Sequence, residues 1–460
     1  MPNVPQKVLD LVEIFERNSD EYRAAEFNEA NLRIQFVNPL FKTLGWDMDN
    51  ELGSAEAYKD VIHEASLKIG GETKAPDYCF RIGGTPKFYL EAKKPHVNIK
   101  DDPGPAFQLR RYGWSKKLPL SILTDFEEFA VYDCRVKPAQ YDKASAARIL
   151  YLRYTDYAKE WDQIASVFSL DAICKGSFDK YADSKKAKRG TATVDTAFLE
   201  EIENWRFELA KNLALRNRQL SPRELNFAVQ ITIDRIIFLR MCEDRGIVSY
   251  GQLRAVAAHA DVYAELCKLY EKADHCYNSG LFHFSNEADR SEEPDTLTPK
   301  LLIDDKTLRV IIKTLYYPDS PYEFSVLPTE ILGQVYEQFL GKVIRLTTSH
   351  TAKIEEKPEV KKAGGVYHTP TYIVDYIVKH TVGKLLGEPS PFRDGEGREG
   401  EAPAEPAPAT NIAIVDTPGS AGASPSQRSP CLTAKQARKL RILDPACGSF
   451  LLGAYDFLLK

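Results

Sequence analysis

With 460 residues, 43% hydrophobic and 28% charged, the chain has the composition of an ordinary soluble globular protein of about two to four domains. Its net charge of −5 carries no general bias toward nucleic acid, so any phosphate contact must use local patches. Eight scattered cysteines, none in a Cys-x-x-Cys pair, exclude a zinc ribbon and a disulfide framework and fit a reducing cytoplasm.

The N-terminal stretch MPNVPQKVLDLVEIFERNSDEYR is amphipathic and bears acids, as a helix does and a signal peptide does not. No apolar run reaches the roughly 18 residues a membrane span needs, so no membrane contact is expected. A second helix opens at Asn28-Glu29 and continues over 34–47. The stretch KAPDYCFRIGGTPKFYLEAKKP then predicts two strands, 77–82 and 87–92, joined by the turn residues Gly83-Gly84-Thr85-Pro86. Asp77 begins the first strand. Glu91 and Lys93 end the second and, two residues apart, share a face.

Two carboxylates and an ammonium so placed suit metal-assisted phosphodiester cleavage. Asp77 and Glu91 are the metal ligands for Mg²⁺, which prefers oxygen donors and keeps several waters. The metal polarises the phosphate, and Lys93 positions or deprotonates water or stabilises charge. The spacing alone also describes the solvated end of a common hairpin. A helix over 106–117, two strands within 121–133, an edge strand at 151–154 and a closing helix over 161–170 complete a first domain, 1–180. Candidate basic patches are Lys93-Lys94, Arg110-Arg111 with Lys116-Lys117, and 185–189; the plainer reading of each is a solvated face or linker. The polar, basic stretch 180–193 is a candidate linker.

From 194 to 345 the period becomes helical. One amphipathic helix covers 197–214. Another opens at Ser221, with Pro222 in its first turn and Glu224 at the third position of a capping box, and Gly246 ends it. Arg235, Arg240, Glu243, Asp244 and Arg245 on it are read as structural ion pairs. A further amphipathic helix covers 327–340. His275, Cys276 and His283 lie close in sequence but lack a fourth ligand at metal-binding spacing.

Gly364 to Pro370 forms a loop before a helix capped by Thr369 or Thr371. The stretch 387–434 is rich in Gly, Pro, Ala, Ser and Glu and is expected to be a disordered insertion. The apolar strand 440–443, the loop Asp444-Pro445-Ala446-Cys447-Gly448-Ser449-Phe450 and a final helix have the order of a doubly wound nucleotide cradle.

Several of these motifs carry a family resemblance. Pro76-Asp77 with Glu91-Ala92-Lys93 resembles the active site of PD-(D/E)xK nucleases. Glu29 matches the extra acid of the preceding helix in type I and type IIG restriction enzymes, and Gln108 to Tyr112 is similar to their Gln-x-x-x-Tyr element. The segments LNFAVQITIDRIIFLRMCEDRGI, YNSGLFHF and ILGQVYEQFLGKVI resemble the helical connector of type IIG restriction–modification enzymes. Tyr367, Thr369 and Pro370 look like methyltransferase motif X, and Asp444, Pro445, Ala446, Cys447 and Gly448 like motif I. Motif I usually ends Cys-Gly-Ser-Gly-Ser-Phe-Leu, so a Gly and a Ser are missing here.

The resemblance implies an α/β multidomain chain: a PD-(D/E)xK-type mixed sheet with flanking helices, an α-helical connector, and an incomplete Rossmann-like methyltransferase start in 362–386 and 435–460. It implies a Mg²⁺-dependent endonuclease acting on double-stranded DNA, with Glu29 and Gln108 supporting Asp77, Glu91 and Lys93. It also implies adenine-N6 methylation from S-adenosylmethionine in a longer parent enzyme. No Asn-Pro-Pro-Tyr motif or target-recognition segment follows, so this chain is not expected to methylate DNA alone. A methyltransferase relative with a silent nuclease, and an inactive truncated relic, are the alternatives.

Overall fold

A six-stranded mixed sheet organises the first part of the chain. In the computed structural model the described residues are 4–63, 68–69, 72–73, 76–185, 193–277, 280–286, 293–327, 331, 341–356 and 371–383. The strands are β1 (Val61–His63), β2 (Tyr78–Ile82), β3 (Thr85–Ala92), β4 (Leu120–Thr124), β5 (Glu128–Asp133) and β6 (Arg148–Arg153), hydrogen-bonded in that order. Every neighbouring pair is antiparallel except β3 and β4. A parallel pair needs a crossover, and helix α4 (Pro103–Ser115) supplies it. Asp102 caps that helix, its side chain accepting from the Gly104 amide at 2.9 Å, with Pro103 in the first turn.

The hairpin is tighter than its sequence predicts. Ile82 pairs with Thr85, leaving a two-residue turn at Gly83 and Gly84 with φ of 54° and 82°. Such a turn needs left-handed backbone at both positions, which glycine adopts without strain. Thr85 and Pro86 therefore belong to β3, and the register shift between Phe80 and Arg81 falls opposite the proline. The later part of β3 is buried, as expected of an inner strand.

The sheet separates two cores. On one face Phe80, Phe88, Leu90, Ala92 and Ile122 pack against α1 (Gln6–Arg17), α3 (Asn38–Thr43) and α5 (Tyr157–Phe168). Helix α1 delivers Val8, Leu11 and Phe15 at helical spacing. Phe80 and Phe88 stack at 4.4 Å across β2 and β3. On the other face Cys79, Tyr89, Leu123, Ala130 and Tyr132 pack beneath Leu109 and Tyr112 of α4. Helix α4 comes so close to the sheet that a side chain at Gly113 would collide with Cys134 and Ser121. The second predicted helix is Glu29–Leu32 (α2), a π-helical turn at Arg33–Val37, then α3.

A helical layer follows in the same unit, which spans Met1–Val366. Helix α6 (Ser177–Ser184) occupies the start of the stretch read as a linker, and 186–192 lie outside the described residues. Helices α7 (Val194–Arg216), α8 (Pro222–Asp244), α9 (Val262–Cys276) and α10 (Asp305–Lys313) enclose a third core with the hairpin β7 (Lys342–Leu346) and β8 (Ala352–Glu356). The Ser221 capping box forms as its sequence predicts, and Gly246 follows α8 with φ of 70°. Arg235 pairs with Asp295, and Arg240 with Glu243 and Asp244; Arg245 is exposed. Of the helix read over 327–340, only 327 and 331 are described.

Of the second unit, Tyr367–Lys460, helix α11 (Thr371–Val378) and a π-helical turn at Lys379–Gly383 are described. Tyr367, Thr369 and Pro370, the 387–434 stretch, and Asp444, Pro445, Ala446, Cys447 and Gly448 lie outside the described residues, as does all of 435–460, the larger part of the Rossmann-like start.

Candidate active site

Period-two alternation places the site. Cys79 and Tyr89 face the core under α4, so Asp77 and Glu91, two residues from each, face the same way. Tyr78 pairs with Leu90, which brings Asp77 level with Glu91 across the strands. Asp77 is held there by the backbone of the partner strand: its Oδ2 accepts from the Ala92 amide at 2.8 Å. The Lys93 amide donates to Thr124 of β4 at 3.0 Å, fixing the end of β3.

Both carboxylates are buried, at 6% and 2% relative exposure. Lys93 Nζ donates to Glu91 Oε1 at 2.6 Å. Glu91 Oε2 is buried with no hydrogen-bond partner. Leaving such an acceptor unmade costs about 1–3 kcal/mol, more for a charged group, so this oxygen is shaped for something absent from the chain itself. Burial raises the Glu91 carboxyl, Asp77 and Glu29 add to the rise, and Lys93 opposes it. For Lys93, burial works to lower the ammonium's pKa. The charges of Glu91, Glu29 and Asp77 outweigh burial and raise it. The lysine is therefore held as an ammonium, suited to stabilising negative charge and orienting water.

Glu29 opens α2, where the Asn28 side chain caps the helix by accepting from the Asn31 amide at 2.7 Å. It lies within electrostatic reach of Asp77 and Lys93, and burial followed by Asp77's charge raises its carboxyl. Gln108 is half-buried on α4 and hydrogen-bonds the Tyr112 phenol one turn later, and that phenol in turn lies within electrostatic reach of Glu91. The five residues predicted for the site are thus one neighbourhood.

A sixth member was not given a role by the sequence. Arg33, one turn after Glu29, donates to Asp77 Oδ1 at 3.1 Å through Nη1 and to the Tyr78 hydroxyl at 3.2 Å through Nε. That hydroxyl donates to Asn38 Oδ1 at 2.6 Å. The only signal was helical spacing: Glu29 and Arg33 are four apart, which puts both on the face toward β2.

The Arg110-Arg111 patch is corrected. Both side chains are buried, Arg110 against Asp142 at 2.7 Å and Arg111 against the Tyr322 carbonyl at 2.6 Å, so neither offers a surface to DNA. His275 and Cys276 are exposed while His283 is buried. Among the described residues no group of three or more His, Cys, Asp or Glu could hold a metal. A cation at Asp77 and Glu91 would therefore rest on two carboxylates, with waters and substrate oxygens completing its shell, which is the manner of Mg²⁺. The unpartnered Glu91 Oε2 fits such an ion.

No helix among the described residues is long and apolar enough to cross a membrane. Residues 26–140, which contain Glu29, Asp77, Glu91, Lys93 and Gln108, match the family model of the type I restriction enzyme R protein N terminus (HSDR_N). The type II restriction enzyme and methyltransferase RM.Eco57I of Escherichia coli is 36% identical over 382 residues, 83% of this chain and 37% of its own. A putative type II restriction enzyme and methyltransferase of Methanocaldococcus jannaschii, RM.MjaORFECS2P, is 20% identical over 534 positions, 99% of this chain and 42% of its own. The chain thus spans about two fifths of the length of these curated relatives. Among solved structures, the type IIG restriction endonuclease BpuSI is matched over 78% of this chain and 33% of its own, at 14% identity and a TM-score of 0.20, too weak a likeness to bear on the fold. The motif resemblance and the relatives agree, and the chain is a relative of the type II restriction enzymes that are also methyltransferases.

Proposed function

We propose that this chain is part of a bifunctional restriction–modification enzyme and carries its Mg²⁺-dependent DNA endonuclease site. The observation that carries the reading is the buried, unpartnered Oε2 of Glu91 beside Asp77 and the Lys93 ammonium. Glu91 and Asp77 hold the cation. When bound, it polarises a phosphodiester oxygen and lowers the pKa of water. Lys93 orients that water and stabilises charge developing on phosphorus. Glu29 adds negative potential near Asp77 and Lys93, and Gln108 braces the site through Tyr112. Double-stranded DNA is the substrate. The methyl-transfer half, with S-adenosylmethionine as donor and adenine N6 as acceptor, belongs to the longer parent enzyme; Tyr367, Thr369, Pro370 and Asp444 to Gly448 are the residues proposed to meet that cofactor.

The test is cleavage of unmethylated plasmid by the full chain with and without Mg²⁺, and with and without S-adenosylmethionine. Lys93→Ala should lower the rate by about two to three orders of magnitude, the loss of one stabiliser of transition-state charge. Equal cleavage by the variant, or cleavage without a divalent cation, sinks the reading.

A further inference from the structure

The helical layer does not merely follow the nuclease-type domain; it enters it. Trp114 of α4 belongs to the core of the helical layer, while Val326, from the segment after α10, packs against the core beneath α4. The segment 316–327 runs along α4. Phe107 meets Tyr317 at 5.9 Å between ring centroids, and Trp114 meets Tyr322 at 5.5 Å. Arg111 Nη2 donates to the Tyr322 carbonyl at 2.6 Å and stands 3.5 Å from Glu323 Oε2, both side chains being buried. The Glu323 amide donates to Ser115 Oγ at 2.9 Å.

These contacts fix the rotation of α4 about its own axis. Arg111 and Ser115 are one turn apart, and they flank Tyr112, which faces the sheet. Tyr112 and Gln108, also one turn apart, are the face that α4 presents toward Glu91. The Tyr112 phenol is raised by burial first, then by the charges of Glu323 and Glu91, so both acids are within electrostatic reach of it.

We propose that Glu323 is a positioning residue for the nuclease-type site: through Arg111 and Ser115 it sets the face of α4 that holds Gln108 and Tyr112 against Glu91. The inference rests on the nuclease reading for its catalytic consequence and on geometry alone for its structural one. The state of the helical layer is thereby transmitted to the cleavage site through one helix. A ligand or partner that moves the 316–327 segment would change the cleavage rate without touching Asp77, Glu91 or Lys93.

The test uses the full chain with Glu323→Gln, Arg111→Met and Arg111→Lys. Two readouts are taken: plasmid cleavage with Mg²⁺, separated into kcat and KM, and backbone hydrogen exchange by mass spectrometry. Glu323→Gln and Arg111→Met are expected to lower kcat about tenfold or more with KM within twofold, as loss of a supporting contact does. Arg111→Lys, which keeps the charge opposite Glu323, should recover much of the loss. Exchange should quicken at 90–93 and 103–115 while α8 and α9 keep their protection. An unchanged kcat, or a fall in kcat that Arg111→Lys does not relieve, overturns the proposal. If the parent chain cuts nothing, the nuclease reading fails, and exchange alone decides: unchanged protection at 90–93 and 103–115 overturns the positioning role.

Discussion

Glu243 and Glu91 are buried acids beside buried or half-buried bases, and they differ in how completely they are used. In the helical layer, Glu243 Oε2 accepts from the Gly251 amide at 2.9 Å and the Tyr316 hydroxyl at 2.6 Å, with Arg240 at 3.4 Å, while Oε1 accepts from the Leu253 amide at 2.9 Å. In the sheet, Glu91 Oε1 accepts from Lys93 and Oε2 accepts from nothing. A buried carboxylate that meets four donors is part of the fold's wiring. One that leaves an oxygen bare, level with a second carboxylate, has a position free for the cation proposed above. Burial and a charged partner alone do not tell the two apart; what sets Glu91 apart is the bare oxygen together with a second buried carboxylate level with it.

The sharpest way to break this contrast is to neutralise each acid in turn. Glu91→Gln should abolish divalent-dependent cleavage by at least ~1000-fold, about 4 kcal/mol of transition-state stabilisation, and leave thermal unfolding near or above the parent's. Glu243→Ala should do the reverse: Arg240 keeps Asp244, but the Gly251 and Leu253 amides and the Tyr316 hydroxyl lose their buried acceptor, at a cost of about 1–3 kcal/mol for each donor left unmade, read as a large fall in melting temperature. If Glu91→Gln unfolds the chain as readily as Glu243→Ala, the bare oxygen has been misread.

A pH series sharpens the same contrast. Burial lifts the Glu91 carboxyl from its ordinary value of 4.5 to about 7. The folded chain therefore holds a proton there that the unfolded chain has lost. The associated stability is complete below 4.5 and disappears as pH rises through about 7, so metal-free wild type should lose melting temperature over that window relative to Glu91→Gln. A divalent cation needs the carboxylate, so its affinity should run the other way, strengthening as pH rises to about 7 and then levelling. Titration calorimetry with Mn²⁺ and melting curves at matched pH read the two slopes, which must have opposite signs. Parallel slopes would mean that Glu91 is not where the cation binds.

What the sequence made legible was local. Alternation placed Glu91 and Lys93 on one face, the hairpin pattern brought Asp77 to their end of the strands, and Ser221 with Glu224 marked a helix start, because these features depend on neighbours close in sequence. The rest depended on distance. Arg33 reaches Asp77 across 44 residues, and Arg111 reaches Tyr322 across 211. Nothing in Arg110-Arg111 as a string separates a basic surface patch from two buried side chains, since arginine is usually exposed and only tertiary partners bury it. The hairpin erred in the same way on a smaller scale. Thr85 and Pro86 carry turn chemistry, but the two glycines alone close the turn and the register shift accommodates the proline.

The smallest expected effect concerns Arg33, the member of the site that spacing hinted at but did not name. Its guanidinium holds Asp77 Oδ1 while the Ala92 amide holds Oδ2, so Asp77 is oriented from two sides. Arg33 also lies over the Tyr78 ring, 4.8 Å from its centroid, and that tyrosine is anchored to Asn38. Arg33→Met keeps the stem against the ring and removes the donor. Asp77 then retains the backbone amide, so the carboxylate stays near its place but loses one constraint and one neighbouring positive charge. Outer contacts of this kind are worth about 10–100-fold in metal affinity or activity, well short of the loss expected for Glu91→Gln. Removing a cation also relieves competition with a bound metal, so the affinity for Mn²⁺ should change less than the cleavage rate. If Arg33→Met instead matches Glu91→Gln in severity, Arg33 contacts the substrate itself, and the site contains a second cation that acts on phosphate.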